Sequence, residues 1–140
     1  MELKNISEKM QKNIEEMLSK KRWAVYGISP DESKFGYKIP LRMLEHGYEI
    51  VGINKKYAGQ DIGGIKVVSS LAEIEGSVDC IDVIVNPKIS LQVIDEAKEL
   101  GIRNLWFQPG TWDEEVLRKA EEADMSVVHE ACVYAILGEN

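Results

Sequence analysis

The sequence predicts one α/β domain: a parallel sheet covered by helices on both faces, with one further helix at the N-terminus. Two observations carry this reading. Short apolar runs alternate with segments of helical periodicity from residue 21 onward, and successive βαβ units close right-handed to give a parallel sheet. The runs are nearly continuous in apolar residues, as strands covered on both faces are. At 140 residues the chain is one domain's worth and buries a real core. No repeat, low-complexity tract or linker divides it. The expected organisation is a helix over 1–20 packed on a domain over 21–140.

Leu3, Ile6, Met10, Ile14 and Met17 recur at steps of three and four, marking one helical face within 2–20. Residues 23–27 read as the first strand. Residues 37–46 read as a helix stopped by Gly47. Residues 49–53 form the second strand, and 65–68 a short third strand after Gly63 and Gly64. Residues 80–85 are the fourth strand, followed by a helix over 89–100 that ends at Gly101. A fifth strand spans 104–107, a helix 113–123 and a weaker sixth strand 125–129. The first strand is expected at the centre, between the second and the fourth, in a Rossmann-like sheet.

Composition removes several functions. A net charge of −7 disfavours nucleic acid and anionic membrane surfaces, which need a basic face. No apolar run approaches the roughly 18–20 residues that cross a bilayer. The charged N-terminal segment does not resemble a secretory signal, so the expected location is cytoplasmic. Cys80 and Cys132 are too few for a disulfide framework.

In open parallel sheets, ligands bind outside the carboxyl ends of the strands. Four segments should share that rim. They are the loop from Gly27, Ile28 and Ser29 to Lys34, Phe35, Gly36 and Tyr37; Asn54, Lys55 and Lys56; Asn86, Pro87 and Lys88; and Gln108, Pro109 and Gly110. An acidic protein here collects lysines and glycines. Glycine lets a ligand approach main-chain N–H groups, and helix N-termini favour anions. The rim therefore suits a phosphorylated ligand. A dinucleotide fingerprint needs G-x-G-x-x-G with an acid about 20 residues on. Ser29 stands where the second glycine would be, and the second strand ends in Asn54 and Lys55 rather than an acid. That disfavours NAD and suits a ribose carrying an extra phosphate, as in coenzyme A or NADP.

The run over 24–67 resembles the CoA-binding domain family. It is similar to small stand-alone bacterial and archaeal proteins and to the CoA-binding domains of the succinyl-CoA synthetase α subunit and ADP-forming acyl-CoA synthetases. The resemblance extends over about residues 20–134. Gly27 with Ser29, and Lys34-Phe35-Gly36-Tyr37, match the family's first loop. Ile53-Asn54-Lys55 resembles its V-N-P-K strand end, with Lys55 in place of proline and Lys56 where the lysine falls. Residues 105–110 match L-W-x-Q-x-G. The family's D-R-C-P appears as Glu130-Ala131-Cys132-Val133, without the arginine. The resemblance implies that the ADP part of coenzyme A lies along the first loop and Asn54-Lys55-Lys56. Pantetheine would pass Asn86, Pro87, Gln108, Pro109 and Gly110. The phosphohistidine domain of the larger ligases has no counterpart in this length.

Other residues have plainer readings. His46 closes a helix, where a cation suits the dipole. His129 and Cys132 fall short of a four-ligand zinc site. Asp82 sits inside a strand, satisfied by backbone or near an edge. Trp23, Trp106 and Trp112 read as packing. The N-terminal helix reads as a cover, with a homodimer contact as the alternative. The sequence thus points to a coenzyme A module without catalytic or metal residues, acting as carrier, sensor or regulator. An NADP-dependent oxidoreductase is the rival, and it lacks a placed general acid.

Overall fold

The structure is a computed structural model that describes residues 7–138. Helix α1 spans Glu8–Leu18, and Leu3 and Ile6 lie outside the described residues. There follow β1 (Arg22–Tyr26), α2 (Phe35–Glu45), β2 (Glu49–Ile53), β3 (Asp61–Ile62) and β4 (Ile65–Val68). The second half comprises β5 (Cys80–Val83), α3 (Pro87–Leu100), β6 (Asn104–Phe107), α4 (Glu114–Glu122), β7 (Ser126–Val128) and α5 (Val133–Leu137).

The strands form one sheet in the order β3-β4-β2-β1-β5-β6-β7, in which β3 pairs antiparallel with β4 and every other pairing is parallel. As expected, β1 is central, between the second and fourth apolar runs. Side chains alternate across the sheet, so each strand feeds two cores. Ala24, Ile81 and Leu105 meet α3 and α4 through Val93, Ile94 and Val116. Trp23, Cys80 and Trp106 meet α1 and α2 through Ile14, Met17, Ile39 and Met43. Trp23 and Trp106 pack at 6.1 Å between ring centroids, with their planes tilted by 54°. Burying side chains of this size stabilises by about 1.5–3 kcal/mol each before entropy is counted.

Ser7 caps α1 by accepting a hydrogen bond from the Met10 N–H. Ile14 and Met17, one turn apart, are its buried face. Asn13 Nδ2 donates to the Val127 carbonyl at 3.1 Å, so α1 also covers the free edge of β7.

The structure departs from the sequence reading in several places, and the fourth strand, expected to reach 85, ends at Val83. Helix α2 begins at Phe35, two residues before the expected start. The hairpin partner β3 and the short helix α5 went unpredicted. The helix expected from 89 begins at Pro87, whose missing N–H costs nothing in the first turn. Asp82 lies between β1 and β6 rather than near an edge, and a side-chain amide, not backbone, bonds its carboxylate.

Candidate ligand-binding rim

The carboxyl ends of β1, β2, β5 and β6 bring the four expected segments to one side of the sheet. Gly27 is the pivot. Its φ is +109°, and a Cβ there would stand 2.3 Å from the Ile84 carbonyl oxygen. The chain can turn out of β1 beside the end of β5 only because this residue has no side chain. Gly36 is under a similar constraint, since its Cβ would fall 2.6 Å from the Gly27 carbonyl oxygen. These two glycines let the first turn of α2 sit against the end of β1.

Pro40 adds to this fit. It lies inside α2 and has no N–H to give the carbonyl four residues earlier. That carbonyl belongs to Gly36, and it accepts instead from the Ser29 N–H at 3.1 Å. Within the loop, Ser29 Oγ accepts from the Asp31 N–H, and Asp31 accepts from both the N–H and hydroxyl of Ser33. The Ser33 bonds hold the Asp31 carboxyl below the usual carboxylate range. No side chain caps α2. By contrast, Ser7, Asn86 and Asp113 cap α1, α3 and α4. The Tyr37 N–H bonds back to the Lys34 carbonyl at 3.0 Å, so it is the Phe35 and Gly36 N–H groups that α2 presents at the rim, where an anion would be favoured.

Asn54 joins two rim loops. Its Nδ2 donates to the Ile28 carbonyl at 2.8 Å, and its Oδ1 accepts from the Lys56 N–H at 3.0 Å. Lys34, Lys55, Lys56 and Lys88 are all exposed. Lys56 Nζ lies 5.5 Å from the Tyr57 ring.

A cleft of about 280 Å³ opens between the end of β2 and the start of α3. Tyr26, Ile53, Val85 and Ile89 form its apolar surface, and Gly27, Asn54, Lys55, Ser69 and Gln92 complete the lining. The Tyr26 hydroxyl donates to Glu96 at 2.8 Å, which fixes the ring. Burial, then the Glu96 carboxylate, raises that phenol further above its ordinary pKa.

Of the expected site residues, Gly27, Asn54 and Lys55 line this cleft. Lys34, Phe35, Lys56, Asn86, Pro109 and Gly110 are exposed on the rim, with Ser29, Tyr37 and Pro87 half-buried. Two side chains point elsewhere. Ile28 is fully buried under α2 and leaves only its backbone at the rim. Gln108 is turned inward, donating to Asp82 and accepting from the Val133 N–H. Sequence reasoning missed Tyr26, Ser69, Val85, Ile89 and Gln92. Ile89 and Gln92 stand at i and i+3 on α3, a spacing that was available as a signal.

Near the end of the chain, His129 packs at 4.7 Å on Trp112, and burial lowers its imidazole pKa. Cys132 directly precedes α5 and is half-buried. Among the described residues, no three His, Cys, Asp or Glu side chains gather as metal ligands. Nor is any helix among them long and apolar enough to cross a membrane.

The model of the CoA binding domain family matches residues 21–138, and the chain belongs to that family. A protein of Bacillus subtilis, the uncharacterized protein YneT, is 31% identical over 121 residues, covering 86% of this chain and 88% of that one. The α subunit of an ADP-forming acetate–CoA ligase from Pyrococcus furiosus is 34% identical over 95 residues, 65% of this chain and 21% of that subunit. Among solved structures, a conserved hypothetical protein from Pyrococcus furiosus superposes with a TM-score of 0.77 at 35% identity, covering 83% of this chain and 98% of that one. A hypothetical protein from Pyrococcus horikoshii reaches 0.84 at 26% identity, covering 96% and 93%.

Proposed function

From that membership we propose that the chain binds coenzyme A across this rim without turning it over, as a carrier, sensor or regulator of free CoA or an acyl-CoA. The observation that carries the reading is the cleft beside β2, with apolar walls and a lysine at its mouth. Its volume suits the adenosine end of the ligand, and the remainder would run over the rim. The purine would lie between Ile53 and Val85 with Ile89, leaving Ser69 and Gln92 as its polar contacts. Lys55 and Lys56 would take the ribose phosphate. The diphosphate would rest on the uncapped start of α2 beside Lys34, where oriented N–H groups attract anions. Pantetheine would leave past Asn86, Pro87, Pro109 and Gly110.

In this reading Ile28 and Gln108 shape the site instead of touching the ligand through their side chains, while Asn54 lines the cleft and ties the two rim loops together. Lysines at the end of β2 also argue against NAD, whose ribose hydroxyls want a carboxylate there. Native mass spectrometry of protein purified from cells tests the proposal. The expected result is a bound mass matching CoA or an acyl-CoA. A bound NADP, or no shift in mass after incubation with CoA, would overturn it.

A further inference from the structure

Asp82 is fully buried at the centre of the sheet, opposite Val25 on β1 and Trp106 on β6. One carboxylate oxygen accepts from Gln108 Nε2, and the other has no hydrogen-bond partner in the structure. The Gln108 oxygen accepts from the Val133 N–H at 3.3 Å, at the start of α5. The Gln108 carbonyl accepts from the Thr111 hydroxyl at 2.7 Å, closing the loop that carries Pro109 and Gly110. Asp82 thus connects the sheet interior, the rim and the last helix. A buried carboxylate with one donor is costly. Burial outweighs the Gln108 bond and holds this carboxyl up at about 7.

We propose that Asp82 is a positioning residue acting as a proton-controlled latch: with its proton, Asp82, Gln108 and Val133 close as a neutral chain, and without it α5 leaves this face so that water reaches the carboxylate. The α5 segment is the element suited to move. A helix of five residues cannot hold itself. Besides the Gln108 contact, the segment is held by Trp106 Nε1 donating to the Ala131 carbonyl at 2.9 Å and by Arg42 donating to the Tyr134 carbonyl at 2.9 Å. Val133 also packs in the core, and the Tyr134 ring packs against Phe35 and Arg42, contacts that opening must give up.

Other ionisable groups do not mimic the effect. The residues that α1, α2 and α5 bury are Ile14, Met17, Gly36, Ile39, Pro40, Met43 and Val133, none of them ionisable. Cys80 lies two residues earlier on the same face, and burial holds its thiol up at about 12. Arg42 lies over the Tyr134 ring, 3.4 Å from its centroid. Glu130 precedes the segment, exposed and beside His129. Burial lowers the His129 imidazole, so its protonation has the opposite pH dependence.

The sign follows from linkage. The closed carboxyl titrates near 7, and the opened one near its ordinary 3.8. Closure is favoured in full below the ordinary value and is lost as pH rises toward 7. Opening should increase about 50-fold from pH 5 to 7 and only about two-fold more above that.

Hydrogen exchange of the α5 amides in ligand-free protein, corrected for intrinsic rates, measures this opening. Asp82→Asn should flatten the profile to within about three-fold. Gln108→Met removes the one donor and should carry the rise past pH 7. A flat profile in the unmodified protein, an unchanged slope in Asp82→Asn, or an earlier rise in Gln108→Met would each overturn the latch. The latch would bear on CoA only through the function proposed above, whereas the exchange readout needs no ligand. Absence of CoA binding therefore leaves the latch standing, and a flat exchange profile leaves the CoA reading standing.

Discussion

The ends of β1 and β2 and the ends of β5 and β6 share one rim but use their polar groups differently. On the β1–β2 side α2 starts without a side-chain cap, lysines stand exposed, and a cleft lies open. On the β5–β6 side Asn86 is engaged in capping α3, and Gln108 is committed to Asp82 and Val133. Helix N-termini left uncapped, and cations left unpaired, are what a phosphorylated ligand can use. Groups already bonded inside the protein add frame, not affinity. The difference teaches that the first half carries the uncapped helix start and the cleft's lysine, while the second half lends the cleft Val85, Ile89 and Gln92 and commits Asn86 and Gln108 to the frame.

Gly27 is the joint between the halves, and breaking it should have the largest effect. Gly27→Ala places a methyl group against the Ile84 carbonyl at a backbone angle that disfavours any side chain. Urea unfolding should show a loss of about 3 kcal/mol or more. A loss under about 1 kcal/mol would mean that the two halves are not held together here.

The second test separates charge from shape on the open side. Lys55→Ala with Lys56→Ala should weaken CoA about ten-fold while leaving dephospho-CoA nearly unaffected, because only CoA carries the ribose phosphate. The unfolding midpoint should not move, since both side chains are exposed. Calorimetric titration of both ligands decides it. Equal losses for the two would sink the assignment of those lysines to that phosphate.

The smallest effect is expected across the rim. Asn86→Ala removes the cap that Asn86 Oδ1 provides to the Ile89 N–H. It should cost about 1 kcal/mol of stability and change CoA affinity by less than about two-fold. A larger loss of affinity would move Asn86 from the frame to the ligand.

Most of the sheet was legible because buried parallel strands announce themselves as continuous apolar runs. The central position of β1 followed from the handedness of crossovers. The misses share a physical cause, which is short reach. Strand β3 has two residues and exists through the Gly63–Gly64 turn that pairs it with β4. Helix α5 has five and lies against α2, where Arg42 sits 3.4 Å over the Tyr134 ring. Neither segment is long enough to show a period. At the site, glycines and lysines after strands could be read in advance. The inward turn of Gln108 could not, because its partner Asp82 lies 26 residues away along the chain. Gln92 differs, because its i+3 spacing from Ile89 on α3 places the two on one helical face.

Pro40 has a consequence for how order is distributed along the chain. A proline within a helix ordinarily counts as a flaw, since one turn loses its closing bond. In this chain the acceptor so released, the Gly36 carbonyl, holds the Ser29 N–H. The proline leaves that oxygen to the loop alone. An alanine there would bring a helical N–H to the same oxygen, whose two lone pairs can serve both donors, so the loop bond would be shared rather than lost. Helix α2 thus gives up one bond of its ladder and the loop after β1 holds an undivided acceptor, so a sequence improved for helix propensity alone would loosen the contact that ties Ser29 to α2.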